Sequence, residues 1–177
     1  MKKHIIACGI FIALLGVSES ALAQYNNWAV GFRLGEPSGI NVRKYFGDSH
    51  AFDLNIGTFG GLYGSNRGYR QGAYKSVGLS IQGHYLWHTR LFGKESLRGY
   101  YGFGGQINSR RYYPDQFSAT DAYVSTISLG GSAVAGLEYF VPDKPYSFFL
   151  EGGVYAEVIP APLFLNLSTG LGIRYNL

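Results

Sequence analysis

The stretch Leu165-Asn166-Leu167-Ser168-Thr169-Gly170-Leu171-Gly172-Ile173-Arg174-Tyr175-Asn176-Leu177 decides the fold. Leu165, Leu167, Thr169, Leu171, Ile173, Tyr175 and Leu177 take alternate positions, and six of these seven are apolar. Between them stand Asn166, Ser168, Gly170, Gly172, Arg174 and Asn176, none of them apolar and larger than glycine. Successive side chains of a strand point to opposite faces, so the segment reads as a two-faced β-strand. On a helix, with its period of about 3.6, the leucines would be scattered around the axis.

The same period recurs through the chain. Trp28, Val30, Phe32 and Leu34 alternate with Ala29, Gly31 and Arg33, and Ile40 and Val42 with Asn41 and Arg43. Phe52, Leu54 and Ile56 oppose Asp53, Asn55 and Gly57, and Leu79, Ile81, Tyr85 and Trp87 oppose Ser80, Gln82 and His84. Tyr101, Phe103 and Ile107 face away from Arg98, Gly102, Gly104 and Gln106. Ile127, Leu129 and Leu137 oppose Ser128, Gly130 and Glu138, and Phe148, Leu150, Val154 and Val158 oppose Ser147, Glu151, Gly153 and Glu157. With the last strand this makes eight, each of the ~9–11 residues that cross a bilayer when tilted. The fold predicted is an all-β, eight-stranded antiparallel up-and-down barrel with both ends on one side.

Ahead of these strands stands a different kind of segment. Met1-Lys2-Lys3 is positive, Ile5 to Val17 is nearly all apolar, and Ala21-Leu22-Ala23 has the small-residue pattern of a cleavage site. That is the pattern of an export signal over residues 1–23, leaving residues 24–177 as one barrel domain. Cys8, the only cysteine, lies inside it, so the expected mature chain has no disulfide. Without Lys2, Lys3 and Glu19 the fifteen basic and eleven acidic residues become thirteen and ten, a net charge of +3. With no run of Lys or Arg, nucleic-acid binding is not expected.

Alternation alone leaves open which face points outward. A soluble barrel keeps its apolar face inside and hydrates the other with many charges. Here the polar face is mostly Gly, Ser and Asn with one or two charges per strand, which suits a crowded interior. The apolar face, turned outward, needs lipid rather than water, and barrel closure satisfies the backbone polar groups. Trp28, Tyr85, Trp87, Tyr139 and Tyr175 fall near strand ends, where aromatic girdles belong. The turns Gly47–His50, Thr89–Ser96 and Val141–Pro145 lie on the side of the termini, expected to be periplasmic. The long loops Gly60–Ala73 and Asn108–Ala122 lie on the opposite, external side, with the short Glu36–Gly39 and Ile159–Phe164.

Gly136-Leu137-Glu138-Tyr139-Phe140, Leu150-Glu151-Gly152-Gly153 and Gly170-Leu171-Gly172-Ile173-Arg174-Tyr175-Asn176-Leu177 carry a resemblance at the level of pattern. On them the mature chain resembles the small eight-stranded outer-membrane barrels, the class of OmpX and the OmpA membrane domain. That resemblance implies a bacterial outer-membrane location, reached through the cleaved signal, and contact with outer-membrane lipid and lipopolysaccharide.

The inward face collects Arg33, Arg43, Asp53, Arg98, Glu138, Glu151, Glu157 and Arg174. An interior of eight strands is just wide enough for its own side chains, so these are expected to form a salt-bridge network rather than a pore. Catalysis of the kind run by lipid A-modifying barrels would need a Ser activated by a His that an acid orients. The candidates are His50, His84 and His88, with Ser80 on the face of His84 four residues away, and no His-x-Ser-Asn motif is present. The external loops are the expected interaction sites, through Tyr63, Arg67, Tyr69 and Arg70 in one and Arg110, Arg111, Tyr112, Tyr113, Asp115 and Asp121 in the other. Arg beside Tyr suits phosphate, sugar or protein contacts. No metal cluster or nucleotide loop stands in the sequence, and no cofactor is expected. The expectation is a non-enzymatic, structural or surface-interaction barrel; the alternatives are a lipid A-modifying enzyme and an accessory subunit of a larger envelope complex.

Overall fold

The computed structural model describes residues 27–59, 68–70, 72–114 and 123–177. The expected export signal therefore lies outside the described residues. The strands are β1 (Trp28–Gly35), β2 (Ser38–Phe46), β3 (His50–Phe59), β4 (Gly68–Tyr69), β5 (Gly72–Arg90), β6 (Leu97–Tyr113), β7 (Val124–Phe140), β8 (Tyr146–Ile159) and β9 (Leu165–Asn176). Eight of them run antiparallel in the order β3-β2-β1-β9-β8-β7-β6-β5, and β5 pairs again with β3 to close the ring. The two-residue β4 forms a small hairpin with β5 outside that ring.

Closure joins the ends of the described chain, with Val30 opposite Tyr175 and Leu34 opposite Leu171. The first and last strands thus satisfy each other's edge hydrogen bonds, and the ring closes. The terminal rim carries the turns 47–49, 91–96 and 141–145, and the far rim carries the other connections.

The faces divide as the period of two requires. Arg43, Asp53, Glu138 and Arg174 are fully enclosed, while Phe103 is 60% and Leu171 55% exposed. The wall is outwardly apolar and inwardly polar, the reverse of a water-soluble barrel. The buried apolar clusters are small: Ala51, Leu86, Tyr100 and Val134 in one, Tyr69 and Tyr74 in the other. Ion pairs and amide hydrogen bonds fill the remaining interior.

β6 and β7 reach further than the alternating apolar residues indicate. The loop expected over Asn108–Ala122 is shorter, because β6 continues to Tyr113. Past Ile107 the outward residues are Ser109, Arg111 and Tyr113, so the strand goes on after its apolar marking has stopped. The β5–β6–β7 wall consequently stands above the rest at the far rim.

Candidate functional site: the filled interior and the far mouth

Arg43 of β2 is the hub of the lower interior. Its Nε donates to Asp53 Oδ1 at 2.6 Å, and a terminal nitrogen donates to Glu138 Oε2 at 2.9 Å. The guanidinium also lies 4.4 Å above the Tyr100 ring. Arg174 of β9 donates to the other oxygen of Glu138 at 2.8 Å and to the Asn41 side-chain oxygen, and it covers the Phe149 ring at 3.6 Å. Tyr45 and Ser147 hydroxyls, each at 2.9 Å, complete the donors to Glu138. Asp53 receives Asn41 at 2.9 Å and Asn55 at 2.7 Å. Arg33 reaches Glu151 at 3.3 Å and the Pro37 carbonyl at 2.6 Å. A buried charge persists only with such partners, because leaving water costs several kcal/mol per ion.

Along β5 and β6, above Arg43 and Asp53, the inner wall carries neutral amides. Gln82 donates to Gln106 at 2.9 Å, Gln106 to Asn108 at 2.7 Å, and Asn108 to Ser128 at 3.3 Å. These amides and hydroxyls form a hydrogen-bonded row along the inner wall from β5 through β6 to β7.

The far mouth is plugged by one cation. Arg110 is fully buried, 2.7 Å from Glu157 Oε2. Rings surround its guanidinium carbon: Phe164 at 4.9 Å, Tyr69 at 5.1 Å, Tyr74 at 5.4 Å and Tyr155 at 6.0 Å. The faces of such rings attract a cation, most strongly when water is excluded. The other Glu157 oxygen accepts the Tyr69 hydroxyl at 2.6 Å and the Ala161 amide at 3.2 Å. Burial, with that hydrogen bond to the carboxylate, raises the Tyr69 hydroxyl well above the ordinary tyrosine pKa.

Two arginines thus leave the places expected of them. Arg98 has the inward parity but sits at the terminal rim, 3.8 Å from Asp48 and apart from the interior network. There the barrel opens, and its long side chain reaches out to the turn. Arg110, expected in an external loop, lies inside, since its parity matches Gln106 and Asn108 on a strand that runs on. Tyr69 likewise packs into the plug rather than projecting from a loop. The other interior candidates, Arg33, Arg43, Asp53, Glu138, Glu151, Glu157 and Arg174, are all buried. Tyr63, Arg67, Asp115 and Asp121 lie outside the described residues.

Arg70 and Tyr112 border an open groove of about 680 Å³ at the far mouth, with Pro114, Pro160, Pro162 and Leu163. Arg70 donates to the Tyr112 hydroxyl at 3.3 Å, and Leu163 is 84% exposed. Arg111 and Tyr113 stand on the outside of the extended wall, opposite Ser76 and Ala73 of β5.

The histidines are held apart from one another and from Ser80. The partner of His84 is Ser132, at 2.8 Å across Gly104, and not Ser80. Ser132 was not legible as a partner because it sits two strands away, reached over a glycine. Nδ1 of His84 has no hydrogen-bond partner among the described residues, so no acid orients the ring. His88 approaches Arg43 at 3.4 Å and meets Tyr100 edge-on, while His50 packs on Tyr85 and Trp87. No group of three His, Cys, Asp or Glu residues able to hold a metal occurs among the described residues.

No family model and no curated protein matches the chain. Solved structures do match it, these two among them. The N-terminal β-barrel domain of Pseudomonas aeruginosa OprF is 12% identical with a TM-score of 0.56, covering 85% of this chain and 95% of that one. Neisserial surface protein A (NspA) is 15% identical with a TM-score of 0.45, covering 85% and 93%. At this identity the likeness to the OprF domain speaks to the fold. Ring closure, strand order and that likeness together show that the chain has the fold of the small eight-stranded outer-membrane barrels, OmpA- and OmpX-like in architecture.

Proposed function

We propose that the protein is a non-enzymatic barrel of the bacterial outer membrane, serving a structural or surface-interaction role through its far rim. The observation that carries this reading is the outward surface. Thirty-four large apolar or aromatic side chains are exposed among the described residues, far beyond the few hundred Å² of apolar patch that a soluble monomer carries. Every long strand adds an aromatic near the terminal rim: Trp28, Phe46, Phe52, Trp87, Tyr101, Tyr139, Phe148 and Tyr175. Trp87 stacks on Tyr101 at 5.7 Å, and Lys44 lies 4.9 Å over Trp28, as cations do where a membrane meets water.

Against a pore stand the ion pairs that cross the interior and the Arg110 plug. Against lipid A modification stands His84, held inside without an orienting acid. In favour of interaction stands the far-mouth groove, where Arg70 meets an apolar surface of Pro160, Pro162 and Leu163. The direct test is fractionation of expressing cells. The protein is expected in the outer-membrane fraction, resistant to carbonate extraction, with the lipid A mass spectrum unchanged when the gene is deleted. Recovery as a soluble protein, or a shifted acyl-chain mass in lipid A, would overturn the reading.

A further inference from the structure

We propose that Lys75 and Arg111, on the outer face of the extended β5–β6–β7 wall, form a docking site for the phosphate of an outer-leaflet lipid headgroup. This rests on the membrane reading above and specifies what that wall meets.

The first argument is position. Tyr101 belongs to the aromatic ring near the terminal rim, and Arg111 lies ten residues further along β6 on the same outward face. At ~3.4 Å per residue and a tilt of ~40°, that separation is roughly 26 Å along the barrel axis. The apolar band of such barrels is about 25 Å tall, so Arg111 stands where headgroups begin. Ile127 is 69% and Leu79 51% exposed, and Ile127 is opposite Ser109, two residues from Arg111. A charged pair therefore caps the lipid-facing surface on these strands.

The second argument is geometry. Lys75 Nζ lies 3.8 Å from the Tyr123 ring centre and 5.3 Å from that of Tyr113. The Arg111 guanidinium lies 5.7 Å from the same Tyr123 ring. One ring thus gathers both cations. Arg111 also lies over Gly78, where an added Cβ would stand 3.1 Å from a guanidinium nitrogen. Gly78 follows Ser76, the residue opposite Arg111, in the direction of Leu79, so the side chain leans toward the apolar band. The hydroxyls of Ser109 and Ser125, 3.1 Å apart, flank the same place on β6 and β7.

The third argument is charge. Interior arginines are each matched with a carboxylate, as Arg110 is with Glu157. Among the described residues no carboxylate pairs with Lys75 or Arg111. A planar guanidinium beside an ammonium, with hydroxyls and tyrosines around them, fits a phosphate oxygen cluster.

The test uses the folded full barrel in mild detergent, read by native mass spectrometry. Diphosphoryl lipid A, its dephosphorylated form and inorganic phosphate are the probes. The wild type is expected to retain diphosphoryl lipid A in preference to the dephosphorylated form. Combining Lys75→Ala with Arg111→Ala should weaken retention by about tenfold or more. Lys44→Ala, at the opposite rim, should retain it as the wild type does. A heat-modifiable shift on gels shows that each variant is folded. Unchanged retention in the double variant, or indifference to dephosphorylation, overturns the site. Full displacement of lipid A by millimolar inorganic phosphate overturns the headgroup as the source. Flotation with vesicles separates the two levels: a wild type that floats but shows no phosphate preference fails the site alone, and one that does not float fails the membrane reading as well.

Discussion

Arg43 and Glu138 meet at 2.9 Å although β2 and β7 stand on opposite sides of the barrel and share no backbone hydrogen bond. Their contact spans the interior, so the barrel wall is braced from within by charge as well as by its ladder of amides.

Glu138→Gln tests that brace. The substitution keeps the shape but removes the charge shared by Arg43 and Arg174. Breaking a buried pair from one side costs about 3–5 kcal/mol. The urea midpoint of the barrel refolded in vesicles should fall accordingly, and an unchanged midpoint would sink the idea that the network stabilises the fold.

Two glycines make a paired test of the wall. At Gly170 a Cβ would collide with the Arg33 guanidinium, while at Gly152 it would meet nothing within 4 Å. Gly170→Ala should lower stability by about 1–3 kcal/mol, as overpacking does, because Arg33 must leave its place beside Glu151. Gly152→Ala on the outer face should be close to neutral. Equal effects in the same urea titration would contradict the assigned faces.

The interior predicts electrical silence. Arg43 and Glu138 span the interior, and Arg110 with its rings closes the far mouth. Purified protein in planar bilayers should give no stable conductance, and reproducible channel steps would show that this filling is not maintained.

The two tryptophans report the depth of the terminal girdle. Trp28 and Trp87 are the only ones in the chain, and both are near the terminal rim. In vesicles their fluorescence should be quenched more by lipids brominated near the headgroup than by lipids brominated at the chain ends. The opposite order would place this rim in the bilayer centre.

Much of the fold was legible because a period of two is a local property. Each residue from Leu165 to Leu177 declares its face through its neighbours alone, and the outward row on β9 follows from that pattern. Legibility stopped where the marking stopped. Ser109, Arg111 and Tyr113 continue an outward face without being aliphatic, so the strand looked like a loop and Arg110 looked external.

The sequence by itself determined the strand number, the two faces and the kind of solvent each face suits, because side-chain direction along a strand depends only on parity. The closed structure decided which charges meet and at what height. Parity assigns Arg98 and Arg110 to the same face, but one stands at the open terminal rim and the other under the far-mouth rings. Which partner each finds depends on register and closure around eight strands, and closure pairs residues as distant in sequence as Val30 and Tyr175.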